Sequence, residues 1–289
     1  MRALFYVLLL SFCALQGFRA EAQEIPKLGM MASLDKDSLL YASGFEMQGE
    51  SVGRMLGPAL TEAEFQTNVQ RIKDAKTKVY VCNVFFPSDL KIAGPEVDEK
   101  KVLAYADQVF QRAKKAGVPV IVLGSGGARK LPENYDYQKA TKDFTQLARK
   151  IGQAAQKHGI TVALENLNST ETNFLTTLEE AAGVVKGANH PNFRLNADIY
   201  HMMKENEPPQ HIIDAGNVIV YVEIAEEENR TLPGVVGEDF RPYFQALKSI
   251  GYSGPMFIEG RVNNPEEEIP NAHKFLTQQL QEVYQGNKQ

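Results

Sequence analysis

The chain has 289 residues, of which 43% are hydrophobic and 23% are charged, and its formal net charge is −5. This composition is typical of a globular protein, and the length suits a single α/β barrel of the usual size. The acidic balance argues against nucleic acids and anionic membranes as partners.

The first 22 residues differ from the rest of the chain. Arg2 precedes an apolar stretch at 3–15, and small residues follow at Ala20 and Ala22, the two positions that an export peptidase reads. The apolar stretch is shorter than the roughly 20 residues that a membrane-spanning helix needs. We therefore predict a signal peptide over 1–22, cleaved after Ala22, and a mature protein that is exported to the periplasm or secreted.

The chain contains two cysteines. Cys13 lies in the predicted signal peptide, where a lipid anchor is the alternative to cleavage, although the bulky Phe12 beside it is unfavourable for lipidation. Cys82 lies in an apolar run and is expected to be a small buried hydrophobic residue rather than a reactive thiol. We expect the mature chain, 23–289, to form one domain.

From Glu24 onward, short apolar runs alternate with longer segments of helical periodicity, and this alternation predicts an α/β fold with a parallel sheet. Helices between the strands include one that starts with a capping box at Thr177–Glu180 and a closing helix from Pro270 to Tyr284. Eight strand–helix units predict a (β/α)8 TIM barrel, whose active sites form at the carboxyl ends of the strands. The predicted strands are 27–31, 41–47, 78–86, 118–123, 160–165, 193–198, 218–223 and 256–259.

Each of the last four predicted strands ends on an acidic residue: Glu165, Asp198, Glu223 and Glu259. Successive acids are separated by about one strand–helix repeat, and strand side chains alternate, so all four can point into one end of a barrel. Charged groups are rarely buried without a partner, and such a cluster needs a cation, a shared proton or a polar ligand. One acid alone would be explained as a helix cap or a loop residue, but four in succession indicate a functional site.

Four segments of the chain resemble one known family. They are Glu165–Glu171, Asp198–His201, Glu223–Gly234 and Gly251–Glu259, and the segment Gly124–Arg129 resembles a loop common in the sugar-phosphate members. On these segments the chain resembles the xylose isomerase-like barrel superfamily, among the sugar phosphate isomerases and epimerases that include the ketose 3-epimerases. The resemblance covers nearly all of the mature chain and implies a small-molecule sugar or sugar phosphate as substrate.

The resemblance implies a divalent metal held by Glu165, Asp198 and Glu259. The fourth ligand in the family is a histidine, and this chain has Glu223 in its place. A set of oxygen ligands favours Mn²⁺ or Mg²⁺ over zinc. Four ionised carboxylates around one divalent ion leave a negative charge, so either one acid keeps a proton, or the metal is weakly held or absent. The acidic run at 226–228 is expected to be a solvated loop rather than a second metal site.

The resemblance also implies that Glu171, His201 and Arg230 hold the hydroxyl groups of the substrate. The glycine loop with Gly126 and Arg129 is either a phosphate-binding loop or a tight turn. It matches neither common nucleotide-binding glycine pattern, so no nucleotide cofactor is expected.

By resemblance, Glu165 and Glu259 are the catalytic residues that remove and return a proton next to a carbonyl group, through an ene-diolate. Epimerisation and aldose–ketose isomerisation both fit, and loss of a hydroxyl group would instead give a dehydratase or lyase. An alternative from another class is an exported sugar-binding barrel that has lost catalysis. The DNA-repair endonucleases of the superfamily fit poorly, because they need several histidines and a basic surface. The sequence is compatible with a homo-oligomer.

Overall fold

The computed structural model describes residues 23–286, and the predicted signal peptide lies outside this range. Eight parallel strands form a closed barrel in which each strand pairs with its neighbours along the chain and the first strand pairs with the last. The prediction of a single-domain (β/α)8 barrel is confirmed. The strands are β1 Leu28–Met31, β2 Met47–Ser51, β3 Lys78–Asn83, β4 Val120–Leu123, β5 Thr161–Glu165, β6 Phe193–Asp198, β7 Ile219–Ile224 and β8 Met256–Ile258.

Helices surround the barrel and connect its strands. Within residues 23–286, no helix is both long enough and apolar enough to cross a membrane. The helices are α1 Asp37–Ala42, α2 Val52–Met55, α3 Glu62–Asp74, α4 Glu99–Ala116, α5 Gly126–Arg129, α6 Tyr137–His158, α7 Leu178–Ala188, α8 Ile199–Lys204, α9 Gln210–Ala215, α10 Arg241–Ser249 and α11 Pro265–Gln285. Short 3₁₀ turns occur at Leu34–Lys36, Gly216–Val218 and Glu228–Arg230.

Local signals in the sequence set the ends of several helices. At the start of α7, the hydroxyl group of Thr177 accepts a hydrogen bond from the backbone N–H of Glu180, and the Glu180 carboxylate accepts one from the backbone N–H of Thr177. This reciprocal pair is the predicted capping box. Gly117 and Gly159 end α4 and α6 in the left-handed conformation, with φ of 76° and 72°.

The predicted second strand at 41–47 is wrong. Helix α1 extends into this range, and β2 starts only at its last residue. The strand is polar, and Gln48 and Glu50 are buried and accept hydrogen bonds. Gln48 accepts a hydrogen bond from the hydroxyl group of Thr77 at 2.8 Å, and Glu50 accepts one from the backbone N–H of Leu34 at 2.8 Å. Because the buried residues of β2 are polar, the sequence has no apolar run that marks the strand. Their partners are distant in the sequence, so their burial is not evident from it.

Two other predicted boundaries differ from the structure. The third strand was expected over 78–86, but β3 ends at Asn83, because Val84 adopts a φ of 51° and leaves the extended conformation. The closing helix begins at Pro265 rather than at Pro270, which lies inside it. Neither difference changes the order of the elements.

Apolar side chains pack on both faces of the strands. One layer fills the inside of the barrel, and the other lies between the strands and the helices. The inner layer consists of Met47, Val81, Val120, Val122, Ala163, Tyr221 and Phe257. Ala163, Tyr221 and Phe257 each lie two positions before an acidic residue, and because strand side chains alternate, those acids also point inward. Cys82 is buried as expected, and burial raises the pKa of its thiol.

Candidate active site

Four acidic side chains meet at the carboxyl ends of strands β5 to β8. Glu165, Asp198 and Glu223 lie at or next to the ends of β5, β6 and β7, and Glu259 follows β8 directly. One carboxylate oxygen of each residue lies within 4.8 Å of those of the others. The predicted convergence of the four acids is confirmed, and their role as metal ligands stays a prediction.

The crowding of these acids changes their affinity for protons. Burial raises the pKa of Glu223 well above its ordinary value, and the charges of Glu259, Glu165 and Asp198 raise it further. Burial, followed by the charge of Glu165, raises the pKa of Glu259 to about 8. Because like charges share one buried site, the metal-free cluster retains protons at neutral pH.

Arg230 is the cation that faces this cluster. Its guanidinium group donates hydrogen bonds to the carboxylate of Glu259 and, at 3.1 Å, to the backbone carbonyl oxygen of the same residue. It lies 3.3 Å from Glu171, 3.5 Å from Asp198, and 4.6 Å above the ring of Tyr200. Burial lowers the pKa of Arg230, but the surrounding carboxylates outweigh burial and raise it. Arg230 therefore links Glu171 to the acids and places a positive charge at the mouth of the barrel.

The loop that carries Arg230 is organised by a buried carboxylate. Glu226 is fully buried, so the expectation that 226–228 is a solvated loop is wrong for this residue. Asn229 and Arg230 have φ of 56° and 54°, a region that non-glycine residues rarely adopt. The glycines that follow Glu226 are typical of a loop whose backbone N–H groups surround an anion, and they are the sequence signal for a buried carboxylate at this position. The Glu226 carboxylate accepts hydrogen bonds from the hydroxyl group of Thr231 and the backbone N–H groups of Gly234, Val236, Gly237 and Glu238.

His201 lies next to the acids and is fully buried. Its Nε2 atom lies 3.4 Å from Glu165 and 3.5 Å from Asp198, and its Nδ1 atom lies 2.8 Å from the side-chain nitrogen of Asn168. Its backbone N–H donates to the Asp198 carboxylate at 3.1 Å, so Asp198 also caps α8. Burial lowers the pKa of His201, but the charges of Asp198 and Glu165 raise it overall. The structure thus brings His201 to the predicted site.

Arg129 does not face the site. Its side chain is fully buried and donates to the backbone carbonyl oxygens of Glu165 at 2.8 Å and of Leu175 at 3.1 Å, and burial lowers its pKa to about 10. The prediction that Arg129 binds substrate is therefore wrong, because the side chain is fully buried and its two terminal nitrogens donate to the backbone behind the strand end. A Cβ atom at Gly124 would clash with the Glu165 carboxylate, so the glycine in this loop permits the close approach of that acid.

A cavity of 280 Å³ opens beside the acids. Asn83, at the end of β3, donates a hydrogen bond to the Glu259 carboxylate from across the barrel. No sequence pattern marks Asn83 as a site residue, because an asparagine at a strand end has many structural explanations. Val84 next to it is 56% exposed despite being apolar. The cavity lining includes Asn83, Val84, Gly126, Glu171 and Arg230.

Several buried polar atoms at this site have no hydrogen-bond partner among residues 23–286. They are Oδ2 of Asp198, Oε1 of Glu223, Nε2 of His201 and Oδ1 of Asn196. Buried polar groups are normally satisfied, so these atoms indicate that the site is built for a ligand. Four carboxylates within reach of one point fit a hard divalent cation such as Mg²⁺ or Mn²⁺, which prefers oxygen ligands.

A family model described as a xylose isomerase-like TIM barrel matches residues 42–279. The chain belongs to this family. The matched range contains strands β2 to β8 and all four acids of the site, so the resemblance inferred from the sequence is confirmed.

The ketose 3-epimerase of Arthrobacter globiformis is 36% identical to this barrel over 111 residues, which are 38% of each chain. The L-ribulose 3-epimerase of Methylomonas sp. strain DH-1 is 34% identical over 131 residues, which are 45% of each chain. The matches therefore span less than half of the length of either enzyme. A solved structure of an L-ribulose 3-epimerase superposes with a TM-score of 0.77 at 20% identity, covering 90% of this chain and 96% of the other, and this likeness concerns the fold.

Proposed function

We propose that this xylose isomerase-like barrel is a sugar isomerase or epimerase that transfers a proton at a carbon next to a carbonyl group. The single observation that carries the proposal is the meeting of four carboxylates from successive strands within 4.8 Å of one another. A cavity of 280 Å³ lies beside them, at the end of the barrel where active sites of this fold form. The similarity to a ketose 3-epimerase and to an L-ribulose 3-epimerase supports the same class of reaction.

The proposal includes a divalent metal, Mn²⁺ or Mg²⁺, held by Glu165, Asp198, Glu223 and Glu259. When bound, such an ion supplies positive charge that stabilises the negative charge developing on substrate oxygens. Oxygens of Asp198 and Glu223 that have no partner in the described part of the chain support this assignment. The raised pKa values of Glu223 and Glu259 imply that metal binding displaces protons.

Glu165 and Glu259 are the proposed proton-transfer residues. They lie at the ends of β5 and β8, which are three strands apart in a barrel of eight, so they can reach different faces of a sugar between them. In the metal-free protein the pKa of Glu259 is raised to about 8, so its surroundings favour taking up a proton, as a group that removes a proton from a substrate must do. Removal by one residue and return by the other inverts a carbon, whereas return to the neighbouring carbon isomerises the sugar.

We assign substrate binding to Glu171, His201 and Arg230, with Gly126 in the cavity wall. An unphosphorylated sugar suits the site better than a sugar phosphate, because Arg129 is committed to backbone carbonyl groups and Arg230 to carboxylates. The acidic side chains at the mouth of the barrel outnumber Arg230, the cation that faces them. Their negative charge would repel a phosphate dianion.

Deuterium exchange tests the proposed reaction. The mature protein is loaded with Mg²⁺ or Mn²⁺ and incubated in D₂O with ketoses such as L-ribulose and D-psicose, while NMR identifies the carbon that takes up deuterium. Exchange at the third carbon with inversion indicates an epimerase, and exchange at the first two carbons indicates an isomerase. Glu165→Gln and Glu259→Gln are each expected to slow exchange by roughly 10²- to 10⁴-fold. Glu179→Gln, the same change at an exposed position of α7, is the control.

Sugar binding without exchange would contradict the proposal and favour a sugar-binding barrel that has no catalytic activity. The observation in favour of this second candidate is the ion pair between Arg230 and Glu259, because it places a cation where a metal would add its charge. Loss of a hydroxyl group from the sugar in the same spectra would indicate a dehydratase instead.

We also propose that the protein is exported to the periplasm or secreted. The support is the sequence pattern at 1–22, in which Arg2 precedes an apolar stretch and small residues end the segment. Cell fractionation followed by N-terminal sequencing should give a product that begins at Gln23. A full-length chain that stays inside the cell would contradict export.

A further inference from the structure

His201 can serve the site in two opposite ways. With a lone pair on Nε2 it would be a metal ligand, and Glu165, Asp198 and His201 lie close enough together to hold an ion. With a proton on Nε2 it would be a hydrogen-bond donor to an oxygen of a carboxylate or a substrate. A neutral imidazole carries only one proton, so the partner of Nδ1 decides between these roles.

The partner of Nδ1 is the side-chain amide of Asn168, at 2.8 Å. Thr170 sets the orientation of this amide, because its backbone N–H, at 2.9 Å, and its hydroxyl group both donate to Oδ1 of Asn168. A backbone N–H can only donate, so a flipped amide would place its NH₂ group against another donor. The oxygen of Asn168 therefore faces Thr170, and its NH₂ group faces His201.

We propose that Asn168 is a positioning residue that keeps the proton of neutral His201 on Nε2. Nδ1 accepts the hydrogen bond from Asn168, so the ring proton lies on Nε2, which is 3.4 Å from Glu165 and 3.5 Å from Asp198. His201 is then a hydrogen-bond donor and not a metal ligand. Its role towards substrate, which rests on the proposed function, is to present an N–H group to a sugar oxygen.

This arrangement also bears on the metal site. The His201 imidazole lies beside the acids, but a protonated Nε2 cannot bind a metal. His201 therefore does not replace the histidine ligand of the family, whose position is occupied here by Glu223. Both His201 and Asn168 are at most 1% exposed, so bulk water does not compete for the hydrogen bond that fixes the ring. The ligand set therefore consists of carboxylates alone.

NMR of the ring nitrogens tests the proposal in the wild-type protein. Two-bond ¹H–¹⁵N correlation spectra distinguish a protonated from an unprotonated nitrogen, and a pH series that extends well above the raised pKa of His201 gives the spectrum of the neutral ring. The chain has only five histidines, and loss of one set of signals in His201→Gln assigns the ring. A proton on Nε2 is expected, and a proton on Nδ1 would overturn the proposal.

Asn168→Asp is expected to invert the tautomer, because a carboxylate accepts a hydrogen bond from Nδ1–H. The lone pair on Nε2 then faces Glu165 and Asp198, and the affinity for Ni²⁺ relative to Mg²⁺ should rise by about tenfold or more in calorimetric titrations. Asn173→Asp is the matched control, since it adds the same charge to the same loop, and the side chain of Asn173 bonds the backbone of a different loop instead of His201.

Thr170→Val is a second variant that adds no charge. It removes the hydroxyl donor but keeps the backbone N–H that orients the amide, so the proton is expected to stay on Nε2. A proton that stays on Nε2 in Asn168→Asp would refute the positioning role. A loss of metal affinity in His201→Gln would show that the ring is a ligand. None of these measurements requires turnover, so they remain decisive even if the proposed sugar chemistry is wrong.

Discussion

Glu223 sets the charge and the ligand type of the proposed metal site. It is fully buried, its Oε2 atom accepts a hydrogen bond from Asn196, and its Oε1 atom has no partner in the part of the chain that the structure describes. By the resemblance of the sequence, a histidine ligand occupies this position in the family. The substitution replaces a neutral nitrogen ligand with an oxygen ligand that is anionic when ionised, and it therefore favours hard cations.

We expect Mg²⁺ or Mn²⁺ to raise the melting temperature of the metal-free protein, because a ligand that binds only the folded state stabilises it. Glu165→Gln should remove this shift. Glu223→His should weaken the response to Mg²⁺ and strengthen the response to Ni²⁺, since imidazole suits the latter ion. Scanning fluorimetry across a series of cations measures both effects, with Glu179→Gln as the control. A melting temperature that no cation changes would contradict the metal assignment.

The sequence identifies the four acids because each ends a strand, but it does not identify the residues that hold them. Asn83 reaches Glu259 from β3, on another side of the barrel, and no local pattern encodes that contact. Arg129 follows a glycine loop, which is typical of anion sites, yet its guanidinium group is used by the carbonyl oxygens of Glu165 and Leu175. Position along a strand is local information, whereas the partner of a polar side chain depends on tertiary structure.

The element that carries Arg230 is the loop between β7 and α10. Its conformation depends on Glu226, whose carboxylate accepts four backbone N–H groups and one hydroxyl group. Such a loop, wrapped around one buried anion, can hold Arg230 at a φ of 54° that the isolated residue would disfavour. Sequence patterns mispredict this loop and β2 for the same reason, because buried polar residues resemble exposed ones when their partners are distant in the sequence.

Glu226→Gln is expected to destabilise the protein by about 1–3 kcal/mol, because the amide offers one acceptor oxygen and turns its NH₂ group towards backbone donors. Arg230 lies in this loop and contacts Glu171 at the cavity, so KM for the sugar should rise more than kcat falls. Glu228→Gln makes the same change at an exposed position of the same loop. Urea unfolding and steady-state kinetics of the two variants measure the difference.

Fluorescence separates a local effect on Arg230 from a general loss of stability. The chain has no tryptophan, and the ring of Tyr200 lies 4.6 Å from the Arg230 guanidinium group. Tyr200→Trp therefore introduces a single reporter at this contact. Acrylamide should quench its emission more strongly when Glu226→Gln is added than when Glu228→Gln is added. Equal quenching would show that Glu226 does not position the arginine.

In the whole molecule, the barrel places the acids at one end and fills its interior below them with apolar side chains. Eight strand–helix repeats suffice to predict this arrangement, because parallel strands joined by crossovers put all their carboxyl ends on one side. The same arrangement opposes folding, since buried carboxylates without partners are unfavourable when ionised. The fold is therefore stabilised by whatever neutralises the cluster, which is either protons or a cation.

The stability of the metal-free protein should fall as the pH rises from about 4.5 to about 8. In the folded state, burial and neighbouring charges raise the pKa of Glu259 to about 8 and the pKa of Glu223 well above its ordinary value. The unfolded chain releases both protons near the ordinary glutamate pKa of about 4.3. Because the folded state binds more protons in this range, raising the pH favours unfolding, by up to about 1.4 kcal/mol per pH unit for each proton.

Urea unfolding in the presence of EDTA, from about pH 5 to about pH 8.5, measures this dependence. The side chain in Glu259→Gln is neutral at every pH, so this variant should show a weaker dependence of the unfolding free energy on pH. Glu179→Gln should leave that dependence unchanged. Saturating Mg²⁺ should remove or reverse the trend, because carboxylate ligands bind the ion in their ionised form. A metal-free protein that becomes more stable towards pH 8 would show instead that the folded state keeps these acids ionised and that Arg230 alone balances their charge.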